Sequence, residues 1–140
     1  MNPEFFCHIY WLALIVAAAA YFDMGAISYS KLLFAKTWLY LTKTDAANPD
    51  ATKGMGVIIV ASFLTIQVTS IGLAILVAYL HLASFSQGIK LGALTGLSIG
   101  ATAINNSYFY EKRPSGLHLI NGGYTLVSTI IVAVIVCIWQ

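Results

Sequence analysis

The side chains able to do chemistry in this 140-residue chain are few, and most stand near the ends of long apolar stretches. Asp23, Asn105, Asn106, His118, Asn121 and Tyr124 come from three such stretches and fall at one depth if those stretches cross a membrane as helices. A carboxylate, an imidazole, three amides and a phenol at one level could pair with one another, pass a proton or hold a cation. An ionisable group inside a membrane segment is a functional candidate because lipid offers it no partner. The plainer reading is a polar boundary sealed by hydrogen bonds between helices. Gln67 is a separate case, about 15 Å along its own helix at 1.5 Å per residue. It needs an internal partner there, either another helix or subunit or a ligand on a transport path.

Other chemistries find little support. Cys7 and Cys137 reach one side together, as do His8 and His81, so a disulfide, a haem or a copper site could be drawn there, yet no motif accompanies any of them. Buried thiols and interfacial histidines are the ordinary state of such residues. No serine sits in a nucleophile elbow, no acids pair at helical spacing, and no glycine-rich strand-to-helix turn is present. Arg113 is the one arginine, where recognition of an anionic thiol such as glutathione calls for several. The expectation is therefore no catalytic residue, no cofactor and no metal ligand.

The elements that would position these groups are helices in lipid. Apolar residues make up 59% of the chain and charged ones 9%, with a mean hydropathy of +0.83, whereas a soluble domain carries roughly 25% charged residues. About 20 apolar residues make one crossing, and the pattern predicts an all-α integral membrane four-helix bundle. One domain, 1–140, would hold spans at about 5–24, 54–82, 91–110 and 117–139. Asn2-Pro3-Glu4 reads as a helix start, and Glu4 stands where a cleaved signal would want basic residues. Ser84 to Gly88 reads as the turn after the second span, Asn48-Pro49-Asp50 as the turn before it, and Pro114 as the stop after the third. The segment 28–43 mixes Lys31, Lys36 and Lys43 with Leu33, Phe34 and Trp38, the composition of an amphipathic helix lying in the headgroup plane.

Basic residues set the orientation. Lys31, Lys36, Lys43 and Lys53 fall in the first loop and Lys112 and Arg113 in the third, against Lys90 alone in the second. The first and third loops are thus expected in the cytoplasm and both ends outside, in a bacterial inner membrane. A net charge of +2 with no dense basic block excludes a nucleic-acid partner.

Within lipid, small residues let helices approach and polar side chains bond across them. Gly92, Gly96 and Gly100 stand four apart on the third span and are expected against another helix. Ser62, Thr65, Thr69 and Gly72 form a stripe on the second span, and Asn121, Thr125 and Ser128 one on the fourth, each expected to face protein.

Two segments resemble a known family. Gly25 to Trp38 carries Tyr29-Ser30, Leu33-Phe34, Lys36 and Trp38, and Phe109 to Tyr124 carries Glu111, Arg113-Pro114, Leu119-Ile120-Asn121 and Tyr124. These are similar to small membrane proteins grouped as domain-of-unknown-function family 1761. Ser28 and Lys31 stand where that family's pattern has tryptophan and proline. The resemblance implies a four-helix fold and a membrane location, and no mechanism.

The resulting expectation is a non-enzymatic assembling or accessory membrane protein. Its partners would be lipid and either a second copy or a larger membrane complex, joined through the glycine face of the third span. The alternative is an oligomeric carrier or channel for a small solute or ion, its path lined by Gln67, Asn106 and Asn121 with Asp23 as the charged element. A small membrane enzyme is the third reading.

Overall fold

The computed structural model describes residues 10–30, 33–43 and 54–139, which form helices and turns with no strand among them. The Asn2-Pro3-Glu4 start, Cys7, His8, Lys31, Lys53 and the Asn48-Pro49-Asp50 turn lie outside the described residues. Among the described residues three helices are long and apolar enough to cross a membrane: α1, Trp11–Ser28; α3, Met55–Tyr79; and α6, Ser115–Ile138. Between them stand the short α2, Ala35–Thr42, and a continuous helical run made of α4, Phe85–Thr95, a π-helical turn, Gly96–Ala101, and α5, Thr102–Tyr110.

The hub is α6, which packs along α4, the π turn, α1, α3 and α5 and touches α2, while α3 packs on α1 and α6. The apolar centre joins Leu14, Ala17 and Tyr21 of α1, Leu73, Ala74 and Val77 of α3, Leu91 of α4, and Val132, Val136 and Cys137 of α6. On α1 the buried positions Ala13, Ala17 and Ala18 are small, so its backbone lies close to its neighbours. The outward faces remain strongly apolar, with Val57, Ile58, Val60, Leu64 and Val68 of α3 and Leu94, Leu97 and Phe109 of the α4–α5 run all exposed. An apolar surface of that extent requires lipid or protein over it.

The turn after α3 differs from the sequence reading. It runs through Leu80 to Ser84, with His81 at φ 52°, and α4 begins at Phe85 rather than at Leu91. Ser84 and Gln87 form a capping box: the Ser84 hydroxyl accepts from the Gln87 backbone at 3.3 Å, and the Gln87 side chain accepts from the Ser84 backbone at 3.1 Å. Polar side chains that resembled a turn are the satisfied donors and acceptors of a helix start. Gly88 consequently belongs to the helix, and with Gly92 and Gly96 it forms a seam against α6.

That seam is tight. A Cβ at Gly88 would stand 2.7 Å from Val134 Cα, one at Gly92 2.4 Å from Ile130 Cα, and one at Gly96 3.1 Å from Thr129 Cβ. Gly100, within the π turn, faces the Thr125 methyl, where a Cβ would come within 2.8 Å. The glycine stripe thus lies on α6 of the same chain, and its close approach is already used. The stripe on α3 behaves differently: Thr65, Thr69 and Gly72 are exposed. The Thr65 and Thr69 hydroxyls bond back to the carbonyls of Ser62 at 2.8 Å and Thr65 at 3.3 Å, which satisfies them without a neighbouring helix.

The connection from α5 to α6 turns at Lys112, φ 52°, and Pro114 takes the N-cap position of α6, where a missing N–H breaks no helical bond. Among the described residues of the segment expected at 28–43, Ala35–Thr42 form a helix and Ser28 completes α1. Trp38, Leu41 and Thr42 turn toward the bundle, while Lys36, Tyr40 and Lys43 are exposed. Leu41 packs on Gly116 so closely that a Cβ there would meet its Cδ1 at 2.7 Å.

Candidate functional site

The polar residues gather where α1 ends and α6 begins. Tyr29 follows α1 directly, its backbone N–H donating to Gly25 O at 3.0 Å. Its hydroxyl donates to Asn121 Oδ1, and Asn121 Nδ2 donates to the Tyr108 hydroxyl oxygen. One amide on α6 thereby ties the end of α1 to α5. Asn121 is only 8% exposed, so both ends of its amide need partners, and the two phenols supply them. Partial burial pushes the Tyr29 phenol up to about 12, which keeps it a donor at neutral pH.

A second bond runs beside the first: His118 Nδ1 lies 3.0 Å from Asn105 Oδ1. With the amide oxygen accepting, Nδ1 carries the proton. The imidazole is fixed between rings, 5.4 Å from Tyr108 edge-on and 4.8 Å from Phe109. Tyr124, one turn further along α6, meets Tyr21 at 5.4 Å and Tyr29 at 5.9 Å, both edge to face. Gly25 makes room for it, since a Cβ there would stand 3.1 Å from the Tyr124 hydroxyl. Tyr29 continues to Trp38 of α2 at 5.8 Å.

Beside this network a pocket of about 310 Å³ is lined by Trp38, Thr42, Tyr108, Arg113, Leu117 and Asn121. Arg113 is partly exposed and its Nε donates to Glu111 Oε2 at 2.8 Å. That bond, with a second from the Ser107 hydroxyl, holds the Glu111 carboxyl below its usual range.

Of the residues the sequence pointed to, Asn105, His118, Asn121 and Tyr124 come together here. Asp23 does not. It is exposed on α1 and forms no hydrogen bond with Asn121, His118 or Tyr124; Tyr29, further along the chain, occupies the position expected of it. The physical reason is the helical wheel: α1 buries Tyr21, Gly25 and Ser28, and Asp23 lies off that face. Asp23→Asn and Asp23→Leu should each change stability by less than about 0.5 kcal/mol in detergent, as exposed positions do; a thermal melt of the purified chain checks this. Asn106 is exposed and lines an open groove with Ser98, Thr102 and Phe109. Gln67 lies apart on α3, its carbonyl oxygen buried and without a hydrogen-bond partner.

Sequence reasoning missed Tyr29, Tyr108, Trp38 and Arg113 as members of the site, since aromatic and basic residues at helix ends also mark a lipid boundary. A usable signal was present: Asn105 and Tyr108, one turn apart, precede His118 and Asn121, also one turn apart, by the same interval across the Pro114 turn. Among the described residues no group of three His, Cys, Asp or Glu could hold a metal ion.

A family model described as Protein of unknown function (DUF1761) matches residues 12–137. Neither curated proteins nor solved structures give a match.

Proposed function

Since the chain belongs to the DUF1761 family, proteins of unknown function, we propose its role from geometry: a four-span membrane protein that acts by binding, without catalysis, using the polar pocket at one end of its bundle. The observation that carries this reading is the Tyr29–Asn121–Tyr108 bridge with the pocket beside it. Its groups are fixed by one another and by ring contacts, which is how a recognition surface is held ready for a ligand.

The fourth crossing is the α4–α5 run. It lies antiparallel on α6 from Gly88 opposite Val134 to Gly100 opposite Thr125, and at 1.5 Å per residue it is about 39 Å long, enough for a hydrocarbon core of about 30 Å. α2 lies in the headgroup plane over the pocket, with Lys36 and Lys43 outward. The distribution of lysines and Arg113 supports a pocket on the cytoplasmic side of a bacterial inner membrane, with both chain ends outside. Asn121→Leu should release α2, and the emission of Trp38, recorded with Trp11 and Trp139 replaced by Phe, should shift to the red. Unchanged emission would remove the bridge as the organiser of the pocket.

An assembling role is the second reading, moved from the glycine stripe of α4 to α3. One observation favours it: Ala61, Thr65, Thr69 and Gly72 form an exposed face of small residues, and small residues let helices approach closely within lipid. Thr65→Leu is then expected to lower the oligomer mass in detergent with the fold retained; equal mass for both proteins would count against assembly through α3.

A further inference from the structure

The pocket beside Asn121 has the donors for a particular kind of ligand. Resting on the binding reading above, we infer that it receives a phosphate group, with Arg113 and Tyr108 as its side-chain contacts and Trp38 as its wall. The direction of the hydrogen bonds is the first support. Tyr29 donates to Asn121 and Asn121 donates to Tyr108, so the Tyr108 hydroxyl is an acceptor in that chain and keeps its own proton to give. That hydroxyl belongs to a pocket-lining residue.

Arg113 is the second support. Its Nε is held by Glu111, which fixes the guanidinium plane and leaves the two terminal amino groups for a planar or tetrahedral oxyanion. The start of α6 is the third. Pro114 offers no side-chain cap, so although Leu117 N–H donates to Pro114 O at 3.0 Å, the N–H groups of Ser115 and Gly116 have no partner in the helix itself, and the dipole of this 24-residue helix adds positive potential beside Leu117, a lining residue. Lys43 and Lys112, next to Thr42 and Arg113 in the chain, are exposed and carry the same sign. Glu111 is the opposing charge, spent largely on Arg113.

A phosphate reaches such a place from two sources, an anionic lipid headgroup or free phosphate in the cytoplasm, and the full chain distinguishes them. With Trp11 and Trp139 replaced by Phe, Trp38 emission reports the pocket. Inorganic phosphate is titrated onto the protein in a non-ionic detergent. Separately, the protein is placed in phosphatidylcholine nanodiscs with and without phosphatidylglycerol. A saturable change with inorganic phosphate, weakened at least about tenfold by Arg113→Gln, supports a free phosphate ligand. A change seen only with phosphatidylglycerol, and again lost in Arg113→Gln, supports the headgroup. Glu111→Gln removes the opposing charge while its amide oxygen can still accept from Arg113 Nε, and should tighten binding a few-fold in whichever arm responds.

Absence of response in both arms overturns the inference, as does a response that Arg113→Gln leaves intact. Because Asn121→Leu is read through α2 release with no ligand present, failure of the phosphate arms with a positive Asn121 result would remove the ligand class and keep the pocket. A null Asn121 result would instead remove the binding reading itself.

Discussion

Replacement of Gly92 by leucine should prevent the bundle from forming. The hydrogen that glycine presents to α6 leaves a Cβ only 2.4 Å from Ile130 Cα and 2.9 Å from Thr129 O. Both are backbone atoms, and no rotamer change relieves them. The helices would have to separate, and the seam that runs from Gly88 to Gly96 would lose its dispersion contacts along its length. Even Gly92→Ala is expected to cost about 1 to 3 kcal/mol as overpacking, and leucine more. Against a typical stability of about 5 to 15 kcal/mol, the leucine variant should fail to give a cooperative thermal transition in detergent. Gly123→Ala is the matched control on α6, since nothing stands within 4 Å of its Cβ. It should be neutral or gain up to about 1 kcal/mol from helix propensity. Equal melting of Gly92→Ala and Gly123→Ala would mean that α4 does not lie on α6 as described.

The second large effect belongs to Asn121. Leucine has nearly its shape but removes an acceptor from Tyr29 and a donor to Tyr108. Hydrogen bonds between membrane helices average about 0.6 kcal/mol and reach about 1.7, so losing both should cost about 1 to 3 kcal/mol. Water reaches the two phenols at the helix ends and limits the penalty of leaving them unpaired. Tyr108→Phe should cost about half as much, and in the Asn121→Leu background it should cost almost nothing further, because its partner is already gone. Thermal melts of the two single variants and the double variant complete the cycle. Additive losses would show that the amide and the phenol act independently.

Much of this molecule was legible in the sequence because lipid leaves the backbone one solution. Once water is absent, apolar stretches of about 20 residues must be helices, and Trp11–Ser28, Met55–Tyr79 and Ser115–Ile138 are. The Pro114 break was equally plain. The start of α4 was not, because Ser84, Gln87 and Gly88 suit both a turn and a capped helix, and the capping box decides between them only when its reciprocal bonds are recognised. The glycines of α4 were readable as a close-packing face, but which helix they face is a matter of tertiary arrangement. Asn105, His118, Asn121 and Tyr124 were found by depth. Asp23 shares that depth on the wrong side of α1, so depth alone could not separate it from Tyr29. Ser62, Thr65 and Thr69 looked like a protein-facing stripe, yet threonine hydroxyls close onto their own helix and can face outward without loss.

The central claim is that the α4–α5 run crosses the membrane beside α6 and sets the Asn121 pocket at one face, with the Ser84–Gln87 cap at the other. Side-specific labelling tests it most directly. Single cysteines are placed by Thr42→Cys, Arg113→Cys and Gln87→Cys in a chain whose own Cys7 and Cys137 are replaced by serine and alanine. Each is exposed to a membrane-impermeant thiol reagent in sealed right-side-out and inside-out vesicles. The account predicts that Thr42→Cys and Arg113→Cys react from the cytoplasmic side and Gln87→Cys from the opposite side. Labelling of Gln87→Cys and Arg113→Cys from the same side would contradict it, since the run between them would then not cross.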